Sequence, residues 1–240
     1  MKLSDSSELL RAAQEITSLT GALPPSWQNL AGPATPPQPR LEDEDEEEDD
    51  EKEDKGKDKP DPGLAAKLLK SRTIMIYGEI NQKVAAAVTA QLLVMSDEDE
   101  KEPIKIFINS QGGHVESGDT IFDMIRFVKA PVKIIGTGWV ASAGALIFAA
   151  AEKEHRLSLP NTRFMLHQPM GGVRGQASDI SIEAQEILKM RQRLNQTFAD
   201  QCSQPLERIE KDTERNFWMS ANEAKDYGLV GEVIQNAKDV

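Results

Sequence analysis

The stretch V-K-I-I-G-T-G-W-V-A-S-A-G-A-L-I-F-A-A-A, residues 132–151, decides the fold class. It opens as an extended apolar run, Val132 to Ile135, breaks at glycines, and continues as the helix-like segment Ser142–Ala151. A strand giving way to a helix across glycines is half of a strand–helix–strand unit, and the pattern recurs on both sides. Upstream, Thr73–Tyr77 reads as a strand and Asn81–Ser96 as an alanine-rich helix capped by Asn81. Ile104–Ile108 follows as a strand and Val115–Lys129 as a helix. Downstream come short strands at His155–Leu159 and Arg163–His167 and a long helix over Asp179–Gln201. Ser220 and Glu223 form a capping box for a last helix that Gly228 ends. This alternation implies an α/β domain with a mainly parallel sheet.

The same stretch carries candidate chemistry. Ser142 stands where the strand becomes the helix, so a sharp turn projects its hydroxyl beside the free N–H groups of the helix start. Donors so placed suit a tetrahedral oxyanion. His167 ends the Arg163–His167 run, and Pro169 stops the strand just beyond it. An imidazole within reach is what a serine needs to lose its proton. Taken alone, a serine before Ala-Gly-Ala is usually an N-cap, and a histidine at a strand end is more often structural. Gly112 and Gly113 follow Ile104–Ile108 at its carboxyl end, where open α/β sheets place ligands; the plain alternative is a tight turn. His114 sits beside those glycines and His155 reads as structural.

Charge is unevenly placed. Residues 42–62 hold fourteen acidic and four basic side chains, which accounts for ten of the twelve net negative charges. The acidic balance therefore describes a tail. Residues 23–40 are proline-rich, and neither tract buries enough apolar surface to offset chain entropy, so 1–64 is expected to be a disordered extension. Within it, Leu9, Leu10, Ala13 and Ile16 give residues 4–18 the spacing of a short amphipathic helix. The folded domain is expected over 65–240. No basic cluster suggests nucleic acid, and no run reaches the roughly 20 apolar residues of a membrane span. Cys202 is the only cysteine, so an internal disulfide is impossible and a reducing, cytoplasmic setting fits. It reads as a packed small hydrophobe. Ile180, Ala184, Ile187, Arg191, Leu194 and Phe198 form a stripe on the long helix for which the sequence leaves no further core, so a neighbouring subunit is the expected receiver.

The chain carries L-L-K-S-R-T-I, I-N-S-Q-G-G and A-S-A-G-A. Further on come L-P-N-T-R-F-M-L-H-Q-P-M-G-G-V-R-G-Q-A-S-D-I and K-D-T-E-R-N-F-W-M-S-A-N-E-A-K-D-Y-G-L-V. On these segments, from Ser71 to about Ile234, it resembles the proteolytic subunit of the Clp protease, ClpP. The resemblance implies a crotonase-like ββα superhelix. Met170–Gln176 and the long helix would form a protruding handle between stacked seven-membered rings. It implies Ser142 as nucleophile and His167 as base, with Asn216 where the family has its triad aspartate. The N–H groups of Gly113 and Ala143 would form the oxyanion hole, and Glu214 and Arg215 a contact between rings. The implied activity is that of a serine endopeptidase in a self-compartmentalising barrel, acting on unfolded proteins and peptides. No metal or cofactor is implied in this subunit; ATP would be used by a partner AAA+ unfoldase.

Several departures from the pattern matter. Asn216 brings no charge to the imidazole, which leaves a weakly active or non-catalytic regulatory subunit of a mixed ClpP barrel as the alternative. Gln111 replaces the family's proline and Ala143 its methionine, a change that trims the wall of the site. Lys105 stands with Phe107 where an aromatic pair helps form the unfoldase groove, and Lys59–Gly63 replaces the gating loop. A crotonase-type acyl-CoA enzyme shares the fold, but H-Q-P-M-G-G disfavours it.

Overall fold

The computed structural model describes residues 62–171 and 174–240. The amphipathic segment 4–18 and the acidic tract up to residue 61 lie outside the described residues, as does any disorder in the extension. Chain contacts divide the molecule after Leu64, and Ala65–Val240 forms a unit with its own core. Its first helix, α1 (Pro62–Lys70), begins before that boundary, with Pro62 at the first helical position where its missing N–H matters least.

The strands and helices then alternate as expected. They are β1 (Thr73–Ile80), α2 (Gln82–Glu98), β2 (Ile104–Gly113), α3 (Val115–Phe127), β3 (Val132–Ala141) and α4 (Ala143–Phe148). After these come β4 (Arg156–Ser158), β5 (Arg163–Leu166), α5 (Ala177–Cys202), α6 (Leu206–Asp212), β6 (Phe217–Ser220), α7 (Ala221–Tyr227) and β7 (Glu232–Val233). The local signals act where the sequence places them. Asn81 caps α2 by accepting from the Val84 N–H, and Ser220 with Glu223 completes the capping box of α7.

The sheet runs β1-β2-β3-β4-β7, all parallel, and β5 joins β3 on a side branch that ends in antiparallel β6. β3 is the branch point. Its first half, Ile134–Gly136, pairs with β4, and its second half, Trp139–Ala141, pairs with β5. The glycines between the halves let one strand serve two directions. Behind the sheet, α4 is wholly buried, and Phe148 packs on Phe164 with ring centres 5.0 Å apart and planes tilted by 60°. Ile74, Ile76, Ile104, Ile106, Ile108 and Ile134 line the same core, each contributing about 2 kcal/mol of apolar burial.

Three expectations need correction. β2 does not stop at Ile108; it runs through both glycines, which pair with Glu79 and Ile80 of β1 after a register shift. Glycine here permits close strand approach, since a Cβ on Gly113 would stand 2.2 Å from the Ile80 carbonyl oxygen. The helix expected to run to Ala151 ends at Phe148. The stripe on α5 does find core in its own chain: Leu194 and Phe198, with Ala199 and Cys202, pack into it. In the amino-terminal half of the stripe Ala184 is buried while Ile180 and Ile187 are half-buried; off the stripe, Ile182 is 59 % exposed, and Met170 before the helix is 79 % exposed. The base of α5 is fixed to α3 by a two-pronged Arg193–Asp119 ion pair, and buried Arg156 donates to Gln201 O in the last turn.

Candidate active site

Strand pairing alone brings the expected site together. β3 and β5 run parallel, with Ala141 opposite Met165, and the Ser142 N–H donates to the Met165 carbonyl at 2.9 Å. That bond places Ser142 beside the end of β5, from which His167 follows directly. β5 and β6 run antiparallel, with Leu166 opposite Phe217, so His167 and Asn216 face one another on the next rung. Three positions far apart in sequence thus meet at one end of the sheet.

The Ser142 hydroxyl lies 2.8 Å from Nε2 of His167. Although Ser142 occupies the N-cap position of α4, its side chain makes no capping bond. Its backbone explains why. At φ 55 and ψ −123 it is far from the extended conformation that points a capping oxygen at the helix. The plain N-cap alternative therefore fails, and the hydroxyl is turned toward the imidazole.

His167 is half-buried, and burial holds its imidazole below the ordinary value of 6.5; a hydrogen bond with the Asn216 side chain works in the opposite direction. Asn216 itself is exposed. The turn leading into it is tied down by Gln168. Gln168 donates its backbone N–H to Thr213 O at 2.7 Å and its side-chain amide to Glu214 O at 2.9 Å. The hydroxyl of buried Thr213 in turn lies 2.9 Å from Asn195 Oδ1 of α5 and 2.8 Å from Ile209 O, and shares its one proton between them. Neither Gln168, Thr213 nor Asn195 carried a signal in the sequence beyond membership of a longer motif, because each acts only through this fold.

Gly112 closes the other wall. A Cβ at its position would stand 2.6 Å from the Ser142 Cβ, so only glycine lets β2 lie against the serine. Ser110, buried on the same strand, accepts from the Gly112 N–H at 3.0 Å and donates to Gly78 O. Gly113 follows on β2, and Ala143 opens α4. The Ala143 methyl is buried and faces Gly118 of α3. Its expected effect on the wall of the site is therefore exerted from behind the serine. Glu214 and Arg215 are both exposed beside Asn216. His114 is exposed, with Nδ1 3.0 Å from the Ser117 hydroxyl, and lines a groove of about 290 Å³ with Gln82, Ala85 and Thr89. His155, expected to begin a strand, is half-buried and closes a short 3-10 turn, Lys153–His155, just before β4. Among the described residues no three His, Cys, Asp or Glu side chains cluster to hold a metal ion, and no helix is long and apolar enough to cross a membrane.

The family model of the Clp protease matches residues 59–237. The chain belongs to the Clp protease family. The ATP-dependent Clp protease proteolytic subunit 3 of Rhizobium etli is 59 % identical over 178 residues, covering 73 % of this chain and 90 % of that one. Solved structures of ClpP1 from Listeria monocytogenes and of an asparagine-to-aspartate mutant of it are similar as well. Each is 57 % identical and covers 73 % of this chain and 98 % of the other, with TM-scores of 0.66 and 0.68 for the parent and the mutant. This Clp protease chain therefore has the crotonase-like ββα superhelix of that family, and its family is one of peptidases.

Proposed function

We propose that this chain is the serine endopeptidase subunit of a self-compartmentalising Clp barrel, cleaving unfolded polypeptides through Ser142, His167 and Asn216. The observation that carries this reading is the 2.8 Å contact between the Ser142 hydroxyl and His167 Nε2, at a serine that does not cap its helix. A neutral imidazole accepts the hydroxyl proton at Nε2 as the Ser142 oxygen bonds to the scissile carbonyl carbon. The N–H groups of Gly113 and Ala143 receive the oxyanion. The imidazolium then gives its proton to the leaving amine, an acyl-serine remains, and water activated by the same imidazole releases the acid and restores the serine. Asn216 serves by offering its side-chain oxygen to the Nδ1–H, which holds the tautomer that leaves Nε2 free. No metal or cofactor takes part in this subunit.

Assembly into stacked seven-membered rings would cover exposed Ile182 and Met170, and a contact between rings at exposed Glu214 and Arg215 would steady the neighbouring Asn216. A partner AAA+ unfoldase would supply the ATP-driven step, in keeping with the ATP-dependent name of the Rhizobium relative. The half-buried Lys105 beside Phe107 weakens the apolar groove for such a partner. We place the protein in the cytoplasm on the strength of its single, buried cysteine.

Asn216 favours a second reading, a weakly active or regulatory subunit that assembles with a ClpP paralogue, because it brings no charge to the imidazolium. A fluorophosphonate probe separates the two, since only an activated serine labels. Light scattering on the same sample tests the ring: a monomer at micromolar concentration, with or without residues 1–61, would refute assembly.

A further inference from the structure

The geometry points to a second element of the site. We propose that Trp139, Trp218 and Arg163 form a ledge that binds aromatic and large aliphatic side chains of the polypeptide on either side of the bond being cut. The inference rests on Ser142 being the nucleophile of the proposed peptidase.

Sheet register puts this trio on the same side as the site. Trp139 pairs with Arg163 and Ala141 with Met165, while Met165 pairs in turn with Trp218. Paired residues share a face, and faces alternate with period two along a strand. His167 lies two positions beyond Met165, and Asn216 two positions before Trp218, so both look out with the trio. The opposite face carries Val140, Phe164, Leu166 and Met219, all buried.

On the outer face the two indoles stack at 6.3 Å between centres and 11° between planes, arching over β5. The Arg163 guanidinium sits 4.5 Å from the centre of the Trp218 ring. The indoles shelter Met165, which is 8 % exposed, yet they remain 44 % and 36 % exposed themselves. Large aromatics held in one orientation and open to water are what contact surfaces use.

The backbone sets that orientation. Gly138, at φ 63, lies so close to Asn109 that a Cβ would stand 2.8 Å from its side-chain nitrogen. The Trp139 N–H donates to Asn109 Oδ1 at 3.3 Å. The bend that turns β3 from β4 toward β5 therefore aims the Trp139 side chain. Distance fits an extended substrate: the step from Met165 to His167 spans about 7 Å, two residues of strand. A polypeptide whose carbonyl sits at Ser142 would bring its second or third neighbouring side chain over the indoles.

Binding to the full-length Ser142→Ala protein tests this without relying on turnover. Two fluorescein-labelled decapeptides of the same polar sequence are compared by anisotropy, one carrying three phenylalanines and the other alanine at those positions. The phenylalanine peptide should bind more tightly. Trp139→Ala and Trp218→Ala should each weaken it by about tenfold, with the alanine peptide unaffected and Trp139→Phe retaining most of the affinity. Equal binding of the two peptides, or indifference to both alanine substitutions, overturns the ledge. Loss of assembly mass in either variant also overturns it, because the indoles would then be covered by a second copy of this chain. Phosphonate labelling of the parent protein is scored in parallel: absent labelling refutes the peptidase reading, whereas labelling without phenylalanine discrimination refutes the ledge alone.

Discussion

Asn216→Asp places a carboxylate opposite His167 with almost no change in volume. A neutral hydrogen bond to the imidazole contributes about 1 kcal/mol, and a charge-assisted one about 1.5–3 kcal/mol. The imidazole becomes charged only as it takes the Ser142 proton, so the difference falls on the transition state. At about 1.4 kcal/mol per factor of ten, a difference of about 0.5–2 kcal/mol should raise the peptidase kcat/KM by about 2- to 30-fold. Asn216 is exposed, and water screening holds the gain below the roughly 10⁴-fold seen for the corresponding residue in a buried serine-protease triad.

The pH profile supplies a second signature. As the proposed base, His167 must be neutral to act, and burial keeps its imidazole below 6.5, so the parent should lose activity only as pH falls below that value. The carboxylate raises the pKa, which moves the acid limb upward; the variant should therefore gain most near pH 8 and least near pH 5.5. A fluorogenic peptide assayed from pH 5 to 9, with phosphonate labelling alongside, measures both. An unchanged rate and an unmoved limb, in a protein whose Ser142 still labels, would remove Asn216 from the site.

Ser142→Ala should abolish phosphonate labelling, whereas Ser110→Ala should slow it by no more than about tenfold, because Ser110 only steadies the Gly112 backbone. Labelling of the Ser142→Ala protein at the parental rate would sink the assignment. Gly112→Ala should cut labelling by about 100-fold or more, since the added methyl would press on the serine side chain; circular dichroism separates that effect from unfolding. Cys202 is buried and its thiol is pushed up to about 11, so it should resist a thiol reagent at pH 8 until denaturant is added. Fast reaction in the native state would contradict its place in the core.

The α/β order was legible because each strand and helix of this chain carries its own period, from Ile104–Ile108 to the capping box at Ser220. Gly112 and Gly113 misled for a physical reason. Glycine reads locally as a breaker, and its use in letting β2 approach β1 is visible only once both strands exist. The α5 stripe misled in the same way, because its receiver is assembled from β-strand and helix residues scattered along the chain. At the site, the turn at Ser142 could be read from its neighbours, but its choice between capping and His167 depends on a backbone angle that composition does not dictate. The meeting of His167 with Asn216 follows from the antiparallel register of β5 and β6, a non-local pairing. Trp139 and Trp218 escaped notice on the same account, since neither alone differs from an ordinary surface tryptophan.

The backbone angle at Ser142 has a consequence for how such a chain can change. A non-glycine residue at φ 55 and ψ −123 carries about 1–3 kcal/mol of conformational strain that glycine would relieve. Ser142→Gly should therefore melt higher by a few degrees, at about 2–4 °C per kcal/mol for a domain of this size, after allowing for glycine's greater freedom when unfolded. A library of variants sorted by heat would drift toward glycine at this position, and the same library sorted by turnover would hold on to serine. Thermal tolerance and the proposed peptide cleavage would thus pull on one codon in opposite directions, and any lineage that gave up cleavage would be free to let that serine go.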